Sequence, residues 1–167
     1  MSAERLPPSL TQLYEAESAR IHGMILYRCG DRGAAEEITA QTFEAAARSF
    51  AAGDGEQVTP AWLTTVARRR LVDHWRRTTR RGRLAERLEG AARTGAGTDG
   101  STELPEVWGA LDSLPAAQRA AITLRYLDDW SVSEVAEGLD LSYKATESLL
   151  SRGRRSLRAA LANRRIE

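Results

Sequence analysis

Thirteen consecutive residues, 90–102, contain no leucine, isoleucine, valine, methionine or aromatic side chain. A stretch of Gly, Ala, Ser and Thr with one Arg and one Asp has nothing to anchor in a core, so it reads as a flexible spacer. A chain of 167 residues interrupted there cannot carry one continuous core. Two small folding units are expected, one on each side, free to move independently. The hydrophobic content of 42% is ordinary for a folded protein and excludes wholesale disorder.

On both sides of the spacer apolar residues recur at helical spacing, and no alternating strand pattern appears. Residues 10–28 predict a helix with Leu10, Leu13, Tyr14, Ile21, Met24 and Ile25 inward, broken at Gly30-Asp31-Arg32-Gly33. Residues 34–50 predict a second, with Ala35, Ile38, Thr42, Ala46 and Phe50 on one face. Gly53-Asp54-Gly55 opens a loop that ends at Thr59-Pro60, a cap followed by proline at the first helical position. The third helix buries Leu63, Val66, Ala67 and Leu71, with Trp62 and Trp75 expected in the core. Its other faces carry Arg68, Arg69, Arg76 and Arg77. Beyond the spacer, one helix holds Val107, Trp108 and Leu111; another, after Ser113-Leu114-Pro115, carries Ile122, Leu124, Tyr126 and Leu127. The fold class is all-α: two small helical domains, residues 1–87 and 105–167, joined by a flexible linker over 88–104.

The sharpest local signal lies in the second domain. Ser131-x-x-Glu134 is a capping box, and Asp140 in Leu139-Asp140-Leu141 tolerates the left-handed backbone of a tight turn. Ser142 then caps a longer helix through Leu149, Leu150 and Leu157. Short helix, three-residue turn and basic helix predict a helix-turn-helix, whose second helix enters the major groove. The basic residues Arg152, Arg154, Arg155 and Arg158 argue against a hairpin built for packing alone.

The net charge of +1 conceals strong segregation. Residues 1–61 are net −4, residues 62–87 net +7, residues 88–142 net −7 and residues 143–165 net +6. Two separate basic segments are the footprint of phosphate-backbone contacts. Lys144 is the single lysine among 24 basic residues. Arginine forks phosphate and guanine, which suits DNA, although a GC-rich genome gives the same bias. The clustering is the stronger signal.

Other classes find little to work with. The single cysteine, Cys29, excludes an internal disulfide and a Cys-rich metal site, and its helical setting predicts a buried structural thiol. His22 and His74 are far apart with no Glu-x-x-His partner, so no metal or cofactor site is expected. A recombinase would need a nucleophile such as Tyr126 or Tyr143, but the first reads as core and the second as part of a helix start. No enzyme is expected. No stretch approaches the roughly 18 apolar residues of a membrane span, and the N-terminus has no signal-like run. The expected location is cytoplasmic, without membrane insertion.

Four motifs in order carry a resemblance over residues 10–162. Ala35-Glu36-Glu37-Ile38-Thr39-Ala40-Gln41-Thr42-Phe43 resembles the A-E-D-L-x-Q-E-x-F stretch of extracytoplasmic-function sigma factors. The run from Trp62-Leu63 through Val66-Ala67-Arg68-Arg69 and Val72-Asp73-His74-Trp75-Arg76-Arg77 is similar to their W-L-x-x-I-A-x-N-x-x-x-D-x-x-R-R helix. Leu114-Pro115-Ala116-Ala117-Gln118-Arg119 resembles their L-P-x-x-Q-R entry to the second domain, and the helix-turn-helix with Ser151-Arg152-Gly153-Arg154 follows at family spacing.

The resemblance implies an alternative sigma factor that binds core RNA polymerase and reads the −10 and −35 promoter elements. Its implied partners are core polymerase and promoter DNA, with room for an anti-sigma factor. Glu36, Glu37, Gln41 and Phe43 would dock on polymerase. Asp54, Arg68, Arg69, Asp73, Arg76 and Arg77 would serve the −10 region, and Lys144, Glu147, Ser148, Ser151, Arg152 and Arg155 the −35 element. Ala40 stands where the family usually has Gln, Arg69 where many members have Asn, and Glu147 where Lys or Arg is common. Whether Arg152 binds a base edge or a phosphate stays open. The rival reading is a stand-alone helix-turn-helix transcriptional regulator, which leaves the Arg-rich helix and the Ala35–Phe43 motif unexplained.

Overall fold

The computed structural model describes residues 8–89 and 106–164, which are helical with no strand among them. The spacer read at 90–102 lies outside the described residues. Seven α-helices follow in order: α1 (Leu10–Cys29), α2 (Arg32–Ala51), α3 (Pro60–Glu89), α4 (Glu106–Asp112), α5 (Ala116–Tyr126), α6 (Val132–Leu139) and α7 (Tyr143–Arg164). A 3-10 turn, Gly55–Gln57, precedes α3.

The chain divides into two compact units. One comprises Met1–Leu26 with Asp31–Leu71, the other Tyr27–Gly30 with Val72–Glu167. In the first, the core collects Leu13, Ile21 and Ile25 of α1, Ala35, Ile38 and Ala46 of α2, and Leu63, Ala67 and Leu71 of α3, with Val58 beneath the 3-10 turn. Thr42 is fully buried there; its hydroxyl donates to Ile38 O at 2.8 Å, which satisfies it inside the helix. α2 starts two residues earlier than its apolar pattern suggested, because the Asp31 carboxylate accepts from Ala34 N at 3.1 Å and caps it. Arg20 ties α1 to the start of α3, donating to Thr64 Oγ1 at 3.0 Å and Pro60 O at 3.3 Å.

In the second unit, Leu111, Leu114, Ile122, Leu124, Val135, Leu139, Leu149 and Leu150 form the core. α7 passes close to α5 at Gly153, where a Cβ would stand 2.9 Å from Ile122 Cγ1. The glycine is what lets the two helices meet.

Some apolar expectations move to the surface. Tyr14 is 54% exposed, although its ring meets Phe43 edge-on at 4.9 Å. Tyr126, Leu127 and Val107 are also exposed. α5 ends at Tyr126 and α4 begins at Glu106, so these positions lie where the helical period that predicted their burial is stopping or starting.

Candidate nucleic-acid interfaces

α7 presents the clearer surface. At about 100° per residue, Thr146, Leu149, Leu150 and Gly153 share one side of the helix, and all four are buried. Lys144, Glu147, Ser148, Ser151, Arg152 and Arg155 fall within an arc of about 140° centred on the opposite side, and all six are exposed. The geometry in front of α7 is set by local chemistry. The Ser131 side chain accepts from Glu134 N at 3.1 Å while Ser131 N donates to Glu134 Oε2 at 2.7 Å, completing the capping box of α6. Asp140 then turns left-handed (φ 55°), and Leu141 N donates back to Ala136 O at 2.9 Å. Ser142 Oγ accepts from Ala145 N at 3.1 Å and starts α7. The Ser131 backbone N–H, and then its hydroxyl, hold the Glu134 carboxyl below its ordinary range. Arg154 leaves this surface: its Nη1 donates to the Tyr126 hydroxyl at 3.1 Å.

α3 is built differently. Thr59 Oγ1 accepts from Trp62 N at 3.1 Å, with Pro60 at the first helical position, as its sequence predicts. The most buried residues then come at strict four-residue steps: Leu63, Ala67, Leu71, Trp75 and Thr79, none more than 5% exposed. Four residues overshoot one turn by roughly 40°, so this stripe winds around the helix. Arg68, Arg69, Asp73 and Arg77 are exposed along it, and Arg80, Arg81 and Arg83 continue the basic run past the residues singled out from sequence. Arg76 is half-buried, and its Nε donates to Gly138 O at 2.9 Å. Arg80 Nη2 lies 2.6 Å from Asp140 Oδ2. Asp54 is exposed beside the 3-10 turn, where Gly55 leaves space for the Phe50 ring; a Cβ there would come 2.5 Å from Phe50 Cδ1.

On α2, Glu36, Glu37 and Ala40 are exposed, and the half-buried Gln41 donates to Glu37 Oε1 at 2.9 Å. Phe43 does not join them. It is 7% exposed and packed in the core, so its ring holds α2 in place and is not part of that surface. Sequence reasoning also gave no role to Arg119, which is 6% exposed and bonded to Asp112 and to the carbonyls of Tyr27 and Arg28. Its partners are up to 92 residues away, beyond the reach of any local pattern.

Among the described residues, no group of three or more His, Cys, Asp or Glu is placed to hold a metal ion, and no helix is long and apolar enough to cross a membrane.

The family profile described as Sigma-70 region 2 matches residues 13–81, and that described as Sigma-70, region 4 matches residues 104–157. The chain is 32% identical over 168 residues to the ECF RNA polymerase sigma factor SigK of Mycolicibacterium vanbaalenii, covering 95% of this chain and 85% of that one. It is 27% identical over 161 residues to the ECF RNA polymerase sigma factor SigM of Bacillus subtilis, covering 95% and 98%. The structure is similar to that of the sigma factor RpoE in complex with the anti-sigma factor NepR from Bartonella quintana, with TM-score 0.48, 22% identity, and coverage of 91% and 96%. A match over both regions disfavours the stand-alone regulator, which would account for the second alone. With the two regions matched in order and 95% of the chain aligned to SigK, this chain belongs to the ECF family of RNA polymerase sigma factors, alternative sigma factors that direct promoter-specific transcription.

Proposed function

We propose a division of labour in which residues 1–87 hold core polymerase and serve the −10 region while residues 105–167 read the −35 element, across the linker at 88–104. The observation that carries it is the pair of basic helices, α3 and α7, each with exposed arginines between or opposite its buried positions. On α7, Lys144, Glu147, Ser148, Ser151, Arg152 and Arg155 share the arc that faces the groove. On α3, Arg68, Arg69, Asp73, Arg76 and Arg77, with Asp54 from the preceding turn, serve the −10 strand. Phosphate contacts set register, and the few groove-facing side chains specify sequence. Melting follows from preferential binding of the unpaired strand, so no bond is made or broken and the protein acts as a cytoplasmic, non-catalytic subunit.

The docking surface on polymerase is Glu36, Glu37 and Gln41. Glu37→Lys should abolish most co-purification with core polymerase and run-off transcription while shifting stability by no more than about 0.5 kcal/mol, as surface changes do. A folded Glu37→Lys protein that binds and transcribes like the parent would remove α2 from the polymerase interface.

A further inference from the structure

Residues 143–165 hold seven basic groups and one acid, Glu147. It is the fifth residue of α7 and exposed, on the side that also presents Lys144 and Ser151, about 60° and about 40° away around the helix. Three ordinary reasons for a surface glutamate fail here. Helix pairing is the first: Glu17, Glu37 and Glu44 each meet the residue three or four positions on, Arg20, Gln41 and Arg48. The equivalent positions after Glu147 are Leu150, which is buried, and Ser151. Among the described residues no ion pair joins it to Lys144, three positions earlier. The helix dipole is the second: it favours an acid in the first turn and fades beyond it, and Glu147 begins the second turn. Capping is the third, and that role is held by Ser142, whose Oγ accepts from Ala145 N at 3.1 Å.

A carboxylate accepts hydrogen bonds and donates none. Against DNA this makes it selective. Phosphate oxygens repel it, so Glu147 cannot share the backbone-holding role of its arginine neighbours. In the major groove, guanine offers N7 and O6, both acceptors, and thymine offers O4 and a methyl group. Adenine offers the N6 amino group beside the N7 acceptor, a pair that an amide side chain matches and a carboxylate does not. Cytosine offers the N4 amino group with no acceptor beside it on the same base. Desolvating a carboxylate in the groove costs free energy unless a donor meets it, so the other bases are penalised as well as unrewarded.

We propose that Glu147 selects cytosine: its carboxylate accepts from the N4 amino group of one cytosine in the −35 element, and the promoters this protein serves carry a C·G pair there. This deepens the reading of α7 as the −35 helix and rests on it. A Lys or Arg, common at this position in the family, would seek guanine or phosphate instead. The same place in the groove therefore calls for the opposite base chemistry in this chain.

The test uses the holoenzyme and a pool of promoter duplexes randomised in the −35 element, with the bound fraction sequenced. The parent should enrich cytosine at one position roughly five- to 150-fold over the other bases. Glu147→Ala should lose preference at that position alone. Glu147→Gln should move the preference there to adenine, whose N6 and N7 an amide matches. A second measurement needs only the parent chain: at that position, 2-pyrimidinone, a cytosine analogue without the amino group, should weaken binding by a similar factor. The same analogue should leave binding by Glu147→Ala unchanged. The proposal is overturned if Glu147→Ala keeps the parent's preference at every position, if it binds all sequences more tightly by one factor, or if the parent tolerates the analogue. A parent with no preference anywhere in the −35 element removes the α7 reading itself. Preference at other positions with none for cytosine removes only the role of Glu147.

Discussion

α3 and α7 are both long, arginine-rich helices, yet they deploy their charge in opposite ways. On α7 the buried positions Thr146, Leu149, Leu150 and Gly153 follow the i, i+3, i+4, i+7 pattern, about two helical turns from first to last, which keeps one side buried. The opposite side is therefore a fixed strip, and all six candidate −35 residues lie on it, exposed. On α3 the buried positions step by four from Leu63 to Thr79, so the buried side rotates and no single strip stays open along the helix. Arg76 and Arg80, in its second half, already have protein partners. Similar charge in the sequence, net +7 over residues 62–87 and net +6 over residues 143–165, thus gives one ready surface and one partly occupied surface.

The comparison is most easily broken at the glycines. Gly153 of α7 sits against Ile122, so Gly153→Leu should overpack the α5–α7 contact and cost roughly 1–3 kcal/mol in denaturant unfolding, with loss of −35-dependent promoter binding. A stable Gly153→Leu protein that still discriminates −35 sequences would show that α7 does not need this close approach. Next in size, Ser131→Ala removes the hydroxyl that caps α6 and should cost about 1 kcal/mol. The Glu134 carboxyl is held low chiefly by the Ser131 N–H, so the stability it contributes is complete above the ordinary carboxylate range. That contribution is lost as pH falls through the lowered value. Ser131→Ala keeps that N–H and should narrow the acid-side loss in stability only by the smaller share of the hydroxyl, whereas Glu134→Gln should remove it. An unchanged acid profile in Glu134→Gln would assign the loss to other groups. Smallest, and opposite in sign, is Gly82→Ala. Gly82 lies in α3 with nothing within 4 Å of a Cβ, so the change should stabilise by about 0.5–1 kcal/mol. Destabilisation there would mean that α3 packs more tightly at Gly82 than its open surroundings show.

What the sequence made legible is what short-range chemistry decides. Thr59-Pro60, Ser131 with Glu134, the left-handed Asp140 and the Ser142 cap each depend on bonds spanning a few residues, and all are found as read. The strip on α7 follows from periodicity alone. Phe43 was harder to place, because it lies at the edge of the α2 buried side, where one helical step separates core from surface. Tyr126 and Leu127 were misplaced because a period extrapolated across a helix end has no meaning. Arg119, and the engagement of Arg76 and Arg80, depend on partners 60 to 92 residues distant, so no local pattern announces them.

The central claim is that α7 answers to the −35 element and α3 to the −10 element. Holoenzymes carrying Arg152→Ala or Arg77→Ala should be compared in run-off transcription on a parent promoter and on versions altered in one element at a time. The Arg152→Ala protein should change its response to −35 alterations alone. If Arg152 reads a base, the cost is about 1–3 kcal/mol with relaxed preference at one position; if it holds a phosphate, the loss is even across −35 sequences. The Arg77→Ala protein should keep full −35 discrimination, weaken binding on all sequences and lower the salt slope by roughly one unit. Both variants altering the response to the same element, or an Arg152→Ala protein that transcribes every promoter as the parent does, would contradict the assignment.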